Sequence, residues 1–311
     1  MESQSEKVLL FGPVFSRRLG RSLGLELVPK KVCTMDCLYC EVGKTNYLTT
    51  ERQPYYPWDL IEEAIFKAKE SQEIFDVLTF TGSGEPTLNL YFSKAIYLAK
   101  KHLSKPIAVL TNSSLINISE VKEALAGVDL VLASLDAGKV ETFKKVNQPH
   151  PSLKLSEIVK GLKDLRKIMK GELWLEVLLV KNINDKVEEL RALKELIEEI
   201  SPHKIQLNTV VRPPSYEEAK ALTLEELHEV ALFLGEKAEV IFPKRSIKER
   251  ETKGELEKKL INYLARRPAT LKELSMALGK GESFLEKIIK NLLKERKIFE
   301  KEYKNQIFYY S

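Results

Sequence analysis

The chain has 311 residues, of which 43% are hydrophobic and 31% are charged, and its formal net charge is +5. This composition excludes a disordered chain, which would combine low hydrophobicity with high net charge, and the length suits one barrel-sized domain plus a small appendage. No apolar run reaches the roughly 18 residues of a membrane span, and the first ten residues lack the features of a secretory signal. Three cysteines, an odd number, make no disulfide framework, so we expect the reducing cytoplasm as the compartment.

Residues 1–245 alternate between short apolar stretches and amphipathic stretches of ten or more residues. This alternation predicts βαβ units and a parallel sheet covered on both faces. The fold class is therefore α/β, as a partial TIM-type (β/α) barrel of about six units, with an open doubly wound sheet as the alternative. The predicted strands are 22–28, 77–81, 107–111, 130–135, 173–180, 204–208 and 239–242, and the predicted helices are 60–68, 119–126, 155–169, 185–200 and 222–234.

The end of the chain differs from the rest in charge and in pattern. Residues 246–311 contain 16 Lys and Arg against 10 Asp and Glu, whereas the remainder is nearly neutral. We expect a linker at 246–254 and a second domain at 255–311. Helices at 256–264, 271–278 and 283–295, followed by a hairpin around Lys304 and Asn305, predict a winged helix-turn-helix.

The third predicted helix of this second domain carries four basic residues on its polar face, and two more lie in the predicted wing. Such a surface is typical of phosphate contacts with nucleic acid, although glutamates lie among the basic residues. Contact with a protein or with the neighbouring domain is the alternative. The basic residues are Lys287, Lys290, Lys294, Arg296, Lys301 and Lys304.

All three cysteines of the chain lie within eight residues, as Cys33, Cys37 and Cys40. A zinc site would need a fourth ligand, and no histidine lies near them in the sequence. Three thiolates on one loop suit a [4Fe–4S] cluster whose fourth iron has no protein ligand, and such an open iron indicates chemistry rather than structure.

The spacing CxxxCxxC, with the aromatic Tyr39 before the third cysteine, resembles the signature of the radical S-adenosylmethionine (SAM) superfamily. The sequence TGSGEPT at 81–87 is similar to the Gly-Gly-Glu motif of that superfamily. The resemblance covers residues 10–245. The stretch at 11–24, together with GSGEPTL, is similar to the wyosine-synthetase-like Fe–S oxidoreductases, and the C-terminal winged helix is an addition to the simplest members of that group.

The resemblance implies that SAM chelates the fourth iron, that an electron cleaves its sulfonium, and that a 5′-deoxyadenosyl radical abstracts hydrogen from a substrate. It also implies an external reductant such as ferredoxin or flavodoxin. The loop at Gly82, Ser83, Gly84 and Glu85 would bind the methionyl amino group of SAM, with Glu85 as the acceptor, and Tyr39 would lie beside the cofactor.

Polar residues at the ends of the later predicted strands are candidate SAM contacts, because ligands of α/β barrels lie at the carboxyl ends of strands. Asp136 is the best ribose candidate, followed by Ser134 and Asn112, and helix capping is the alternative for each. Glu176 lies within an apolar strand, so it either faces SAM or pairs with a solvent-side lysine. Gln206 and Asn208 are weaker candidates for the adenine side.

Arginines before the first predicted strand and after the sixth have two interpretations. Arg17, Arg18, Arg21 and Arg212 either grip a phosphate or carboxylate of the substrate or of SAM, or belong to solvated basic loops. The aromatic run at 55–58 is interpreted as a hydrophobic staple before a helix.

Three functions remain open at this stage. The first is a radical SAM enzyme acting on RNA, as in tRNA modification, but the wyosine reaction itself is not expected because no cysteines remain for a second cluster. The second is an activase that installs a radical on a partner protein, with the winged helix as its docking module. The third is a DNA-binding regulator with an Fe–S redox sensor, which would not need the GSGEP motif. No catalytic residue is assigned.

Overall fold

A computed structural model describes residues 9–16, 18–241 and 253–311. Its centre is an eight-stranded sheet in the order β1-β2-β5-β6-β7-β8-β9-β10, with a separate two-stranded pair β3-β4 in the loop after β2. The strands of this part of the chain are β1 (Leu10–Ser16), β2 (Gly20–Leu25), β3 (Val32–Cys33), β4 (Tyr47–Leu48), β5 (Val77–Phe80), β6 (Ile107–Thr111), β7 (Leu130–Ser134), β8 (Glu172–Leu179), β9 (Lys204–Thr209) and β10 (Ala238–Val240).

Seven of the eight strands, from β2 to β10, pair in parallel, and β1 pairs antiparallel with β2 at the edge. Strand neighbours follow one another along the chain, whereas a doubly wound sheet reverses direction at a switch point. The partial (β/α) barrel is therefore confirmed, and the doubly wound alternative is wrong. The predicted strand 22–28 overlaps β2 but begins two residues late, and β1, which forms a hairpin with β2, was not predicted.

Helices cover the outer face of this sheet. In α1 the residues Ile61, Ala64, Ile65 and Ala68 recur at helical spacing and are buried against the strands. The barrel helices are α1 (Trp58–Glu70), α2 (Phe92–His102), α3 (Ser119–Ala126), α4 (Val140–Asn147), α5 (Leu155–Ile168), α6 (Val187–Ile200) and α7 (Leu224–Leu234).

Two of these helices, α2 and α4, were absent from the sequence-based prediction. In α2 the pattern was present, since Phe92, Ala95, Ile96 and Ala99 are buried on one face. In α4 the signal is weak, because the helix has only eight residues and buries few apolar side chains.

The C-terminal unit, residues 253–311, comprises α8 (Lys253–Leu264), β11 (Ala269–Thr270), α9 (Leu271–Leu278), α10 (Glu282–Lys294), β12 (Phe299–Tyr303) and β13 (Gln306–Tyr310). Its three strands form a separate sheet in the order β11-β13-β12, and its apolar residues form a core of their own. The hairpin turns at Lys304 and Asn305, and Thr270 begins α9 in a capping box with Glu273, as the sequence predicts. Phe284 of α10 is exposed. The predicted linker at 246–254 lies mostly outside the described residues.

The C-terminal unit packs against the edge of the barrel at which the chain begins. Helices α8 and α9 contact β1, and Val14 of β1 packs against the core of the C-terminal unit. At the tip of the hairpin, Lys304 Nζ donates to the carbonyl of Val210, which follows β9, at 3.4 Å. Throughout 9–16, 18–241 and 253–311, the helices are all too short or too polar to cross a membrane.

Candidate functional site

A cavity of about 390 Å³ lies between the carboxyl ends of the barrel strands and the C-terminal unit. The barrel contributes Cys40, residues of β1 and β2, and the carboxyl ends of β5 to β9 in the central sheet, where barrels of this type have their ligand sites. The C-terminal unit closes the opposite side. The residues that it contributes are Tyr263, Arg266, Arg267, Glu273, Met276 and Ala277.

The loop after β2 carries the three cysteines, and each sulfur atom has its own nitrogen donor. The Asn112 side chain lies 3.5 Å from Cys33 Sγ, and the Asn147 side chain lies 3.5 Å from Cys37 Sγ. Lys31 Nζ lies 3.2 Å from Cys40 Sγ. Asn112 and Asn147 belong to the barrel and fix the loop to it at Cys33 and Cys37, whereas Lys31 belongs to the same loop as Cys40.

The three cysteines are free thiols, and the surroundings of Cys33 and Cys37 oppose ionisation of these two. Burial raises the pKa of the Cys33 thiol to about 12, with the neighbouring Glu85 acting in the same direction. Burial likewise raises the pKa of Cys37, with Asp136, Cys33 and Cys40 adding to the shift. A cluster of iron ions supplies the positive charge that three neighbouring thiolates need, so the three side chains fit a [4Fe–4S] cluster.

Among the described residues, no group of three or more His, Cys, Asp or Glu side chains converges closely enough to hold one metal ion. A [4Fe–4S] cluster does not need such convergence, because each of the three thiolates binds a different iron atom.

The glycine-rich loop after β5 lies directly against the cysteine loop. A Cβ atom at Gly84 would come within 2.1 Å of the carbonyl oxygen of Val32, so only glycine permits this approach. Backbone hydrogen bonds join the two loops, from Lys31 N to Ser83 O at 2.9 Å and from Glu85 N to Val32 O at 3.2 Å. Two motifs that lie more than 40 residues apart in sequence thus form one surface.

Glu85 is a buried carboxylate that is surrounded by uncharged donors. Its oxygens accept from Thr87 N and Oγ1, from Thr111 Oγ1 and from Asn112 N, at 2.6–3.2 Å. Burial raises the pKa of this carboxyl, while the hydrogen bonds act against the rise. Glu85 therefore fastens the glycine-rich loop to the end of β6.

Asp136 is a second buried carboxylate of this kind, with 3% of its surface exposed. It accepts from the hydroxyl of Tyr39, from the Asn147 side chain at 2.7 Å and from Leu178 N at 2.8 Å. Burial raises its pKa, and the donors oppose the rise. Through Tyr39 it positions the cysteine loop relative to the ends of β7 and β8.

Glu176 faces the cavity, not the solvent. Its carboxylate pairs with Arg18, and the Asn208 side chain lies 3.4 Å from it. Of the two alternatives for Glu176, a solvent-side lysine partner is wrong, because Glu176 and Leu178 lie on the face of β8 that lines the cavity.

Arg212 joins the cysteine loop, the barrel and the C-terminal unit. Its guanidinium donates to Glu41, next to Cys40, at 2.8 Å, and to Glu273 of α9 at 2.9 Å. The second oxygen of Glu273 caps α9, accepting from Thr270 N at 2.9 Å. Burial acts against the charged guanidinium, but Glu41 and Glu273 together raise the pKa of Arg212.

Arg266 makes a second connection of the same type. Its Nε lies 3.4 Å from the carboxylate of Glu26, and its guanidinium stacks over the ring of Phe11 at 4.0 Å. The other oxygen of Glu26 accepts from the backbone N–H of Ser83 at 2.5 Å. Glu26 thereby links the C-terminal unit to the glycine-rich loop.

The predicted site residues divide into two groups. Tyr39, Cys40, Gly82, Ser134 and Asp136 line the cavity. The others lie just behind its wall and fasten the loops to one another, and their predicted contacts with the cluster and SAM stay predictions. These are Cys33, Cys37, Ser83, Gly84, Glu85 and Asn112.

Sequence reasoning missed four residues that hold the site together: Glu26, Lys31, Asn147 and Arg266. A signal for Glu26 was present in the sequence, because it is a charged residue within the predicted strand 22–28. Glu176 was selected as a candidate for the same reason in the predicted strand 173–180. Gln206, considered for adenine, instead lies behind the wall and donates to Glu239 at 3.0 Å, whereas Asn208 lines the cavity.

The remaining arginine and aromatic predictions have different outcomes. Arg21 lies in β2 and pairs with Asp76 on the surface at 2.8 Å, so it has no place in the cavity. Arg17 lies outside the described residues. Trp58 packs edge-on against Tyr91 with ring centroids 5.6 Å apart, which supports a packing role for the aromatic run.

The comparison with protein families identifies one match, to the radical SAM superfamily over residues 27–197. A UPF0026 protein of Methanocaldococcus jannaschii is 33% identical, covering 97% of this chain and 95% of its own. A UPF0026 protein of Helicobacter pylori (strain 26695) is also 33% identical, covering 97% of each. A GTPase Obg of Brachyspira hyodysenteriae is 36% identical over 94% of this chain, but the chain spans only 43% of that relative's length.

Two solved structures share the fold. A radical SAM methyltransferase from Sphaerobacter thermophilus is 16% identical with a TM-score of 0.52, covering 70% of this chain and 65% of its own. Streptococcus suis SuiB is 15% identical with a TM-score of 0.54, covering 71% of this chain and 49% of its own. The chain belongs to the radical SAM superfamily, a family of enzymes that use a [4Fe–4S] cluster and S-adenosylmethionine as cofactors.

Proposed function

We propose that Cys33, Cys37 and Cys40 hold a [4Fe–4S] cluster and that the cavity beside them binds SAM together with a substrate that loses a hydrogen atom. The observation that carries this proposal is the meeting of three thiols, each with its own nitrogen donor, with a glycine-rich loop at the carboxyl ends of the strands. When bound, the cluster and SAM supply a 5′-deoxyadenosyl radical.

The contribution of the chain's own residues is to bind, orient and shield. Gly82 leaves the backbone accessible at the cavity wall, and Ser134 presents a hydroxyl there, both suited to the polar groups of SAM. The C-terminal unit closes the cavity with residues of α8, α9 and the segment between them, which keeps water away from a reactive species. Glu176, held by Arg18, places a carboxylate on the cavity wall.

The test is anaerobic reconstitution followed by addition of SAM and dithionite. We expect about four iron atoms per chain and formation of 5′-deoxyadenosine. A Cys37→Ala variant serves as the control and is expected to lose both. An intact cluster without SAM cleavage would contradict the proposal and favour the redox-sensing regulator.

We further propose that the C-terminal unit is a winged helix-turn-helix that serves mainly as a wall of the cavity. Its helix–strand–helix–helix–hairpin order supports the first part, and the contacts of α8, α9 and Lys304 with the barrel support the second. Domains of 1–245 and 255–311 agree with the two separate cores.

Action on RNA is the second candidate, and the exposed Lys287 and Lys294 on α10 favour it, whereas Lys290 pairs with Glu286 at 2.8 Å. Filter binding of RNA to the full chain, compared with a Lys287→Gln/Lys294→Gln double variant at two salt concentrations, tests it. Equal and salt-insensitive binding by both would remove this candidate. The same assay with candidate partner proteins in place of RNA tests the alternative of an activase. Replacing dithionite by ferredoxin or flavodoxin in the SAM cleavage assay tests which of them serves as the electron donor.

A further inference from the structure

The four arginines that line the cavity differ in their partners. Arg18 pairs with Glu176, Arg212 pairs with Glu41 and Glu273, and Arg266 pairs with Glu26. Each of these guanidinium groups therefore has its charge balanced by at least one carboxylate.

Arg267 is held by a neutral group instead. Its guanidinium donates to the hydroxyl of Tyr263 and stacks over the same ring, with 4.7 Å between the guanidinium carbon and the ring centroid. Within the ranges that the structure describes, no carboxylate lies within ion-pair distance of this guanidinium. A positive charge thus remains at the end of the cavity that the C-terminal unit forms.

The surroundings of Arg267 indicate what would bind there. Phe11, Phe15, Tyr263 and Met276 line the cavity near the C-terminal unit and provide apolar surface. A guanidinium presents a planar fork of N–H donors that matches the oxygens of a carboxylate or a phosphate. The stacking on Tyr263 fixes the plane of the fork before a ligand arrives, which lowers the entropy lost on binding.

We propose that Arg267 is the anchor for an oxyanion group, carboxylate or phosphate, of a substrate with an aromatic or apolar body. This inference rests on the proposed function, because it assigns the cysteine side of the cavity to the cofactors and the side facing the C-terminal unit to the substrate. Arg267 is a substrate-positioning residue that determines specificity. It holds one end of the substrate while the other end lies toward Cys40.

The experiment measures binding by calorimetry to the reconstituted protein with SAM and without reductant, so that no turnover occurs. The probes are phenyl phosphate, benzoate and the neutral benzyl alcohol. We expect at least one of the two anions to bind more tightly than benzyl alcohol, and the stronger anion identifies which oxyanion the site prefers. Equal affinity for all three probes would overturn the proposal without any variant.

Variants then assign the effect to Arg267. Arg267→Met is expected to weaken binding of the preferred anion by about tenfold or more while leaving benzyl alcohol unaffected, because a hydrogen bond to a charged group is lost. Arg267→Lys keeps the charge without the fork and is expected to retain part of the affinity. Arg191→Met, on the exposed face of α6, is the matched control and should behave as the unaltered protein.

Unaltered anion binding in Arg267→Met would contradict the role of this residue. Formation of 5′-deoxyadenosine by the unaltered protein is measured separately. Failure of SAM cleavage would contradict the proposed function, whereas intact cleavage with no anion preference would contradict only the inference about Arg267.

Discussion

The two sides of the cavity stabilise buried charge in different ways. On the barrel side, which also contains the ion pair of Arg18 with Glu176, the carboxylates of Glu85 and Asp136 accept hydrogen bonds from hydroxyl, amide and backbone N–H groups. On the side shared with the C-terminal unit, Arg212 and Arg266 pair with carboxylates of the opposite charge. Hydrogen bonds from neutral groups within one domain contribute stability that does not depend on the salt concentration. Ion pairs between two units form only when both units are in place.

This difference has a consequence for the cofactor loops. The carboxylates of the barrel side fix the loops to the barrel alone. The ion pairs reach the same loops from outside, since Arg212 contacts Glu41 beside Cys40, and Glu26 contacts both Arg266 and Ser83. The position of the C-terminal unit is therefore coupled to the geometry of the cysteine and glycine-rich loops.

Arg212→Met is expected to have the largest effect, because it leaves two carboxylates facing each other without a cation. Loss of one partner of a buried ion pair costs about 3–5 kcal/mol, and we expect the lower end because Glu41 and Glu273 keep some contact with solvent. Urea unfolding at low and high salt measures the change in free energy. Arg191→Met is the control. If Arg212→Met were as stable as this control, the result would contradict a stabilising role for the ion pairs of Arg212 with Glu41 and Glu273.

Asp136→Asn tests the barrel side, and its effect is expected to be smaller and independent of salt. One acceptor oxygen is replaced by an amide that faces donors, so about 1–3 kcal/mol of stability is lost. Asp59→Asn, at an exposed position of α1, is the control. A destabilisation that disappears at high salt would show that Asp136 acts as a charge rather than as a hydrogen-bond acceptor.

Lys31→Met tests the one cationic side chain that touches a cysteine sulfur among the residues that the structure describes. Removing a positive charge beside Cys40 disfavours the added electron, so the midpoint potential of the reconstituted cluster should fall. The expected size is tens of millivolts, given that ~59 mV corresponds to a tenfold change in a one-electron equilibrium. Redox titration followed by electron paramagnetic resonance measures the potential, with Lys30→Met at the neighbouring exposed position as the control. Equal midpoint potentials in the Lys31→Met and Lys30→Met variants would contradict a role of Lys31 in setting the potential of the cluster.

The smallest effect is expected for the surface ion pair of Asp76 with Arg21. The hydrogen bond from Arg21 lowers the pKa of Asp76, so the pair stabilises the fold above the unfolded-state pKa, near 4, and the contribution is lost as pH falls through the lower folded-state value. Asp76→Asn should cost less than about 1 kcal/mol at neutral pH and nothing in strong acid. Thermal unfolding of the unaltered protein and of Asp76→Asn from pH 2 to pH 7 measures the difference in stability at both ends of this range. An undiminished difference at pH 2 would assign the effect to packing instead.

Much of the barrel was predictable from local pattern. The predicted strands 107–111 and 204–208 and the predicted helix 119–126 match β6, β9 and α3 to within a residue. The reason is that burial of one or both faces of a regular strand or helix imposes a recognisable pattern of apolar residues on the sequence. Strand β1 was missed because its residues are all half-buried and show no alternation, whereas the predicted strand 22–28 overlaps β2.

By itself the sequence determined the chemistry of the site: three cysteines at CxxxCxxC, a glycine-rich loop after a strand, and polar residues at later strand ends. Each of these is encoded within a few neighbouring residues. Only the tertiary structure decided that the side chain of Glu176 faces the cavity, that Lys31 touches Cys40, and that Arg212 contacts Glu273, which lies 61 residues away in sequence. The physical reason is that the first two contacts depend on how segments of the barrel pack together and the third depends on how two separate cores dock, and neither kind of packing leaves a periodic signal in the segments involved.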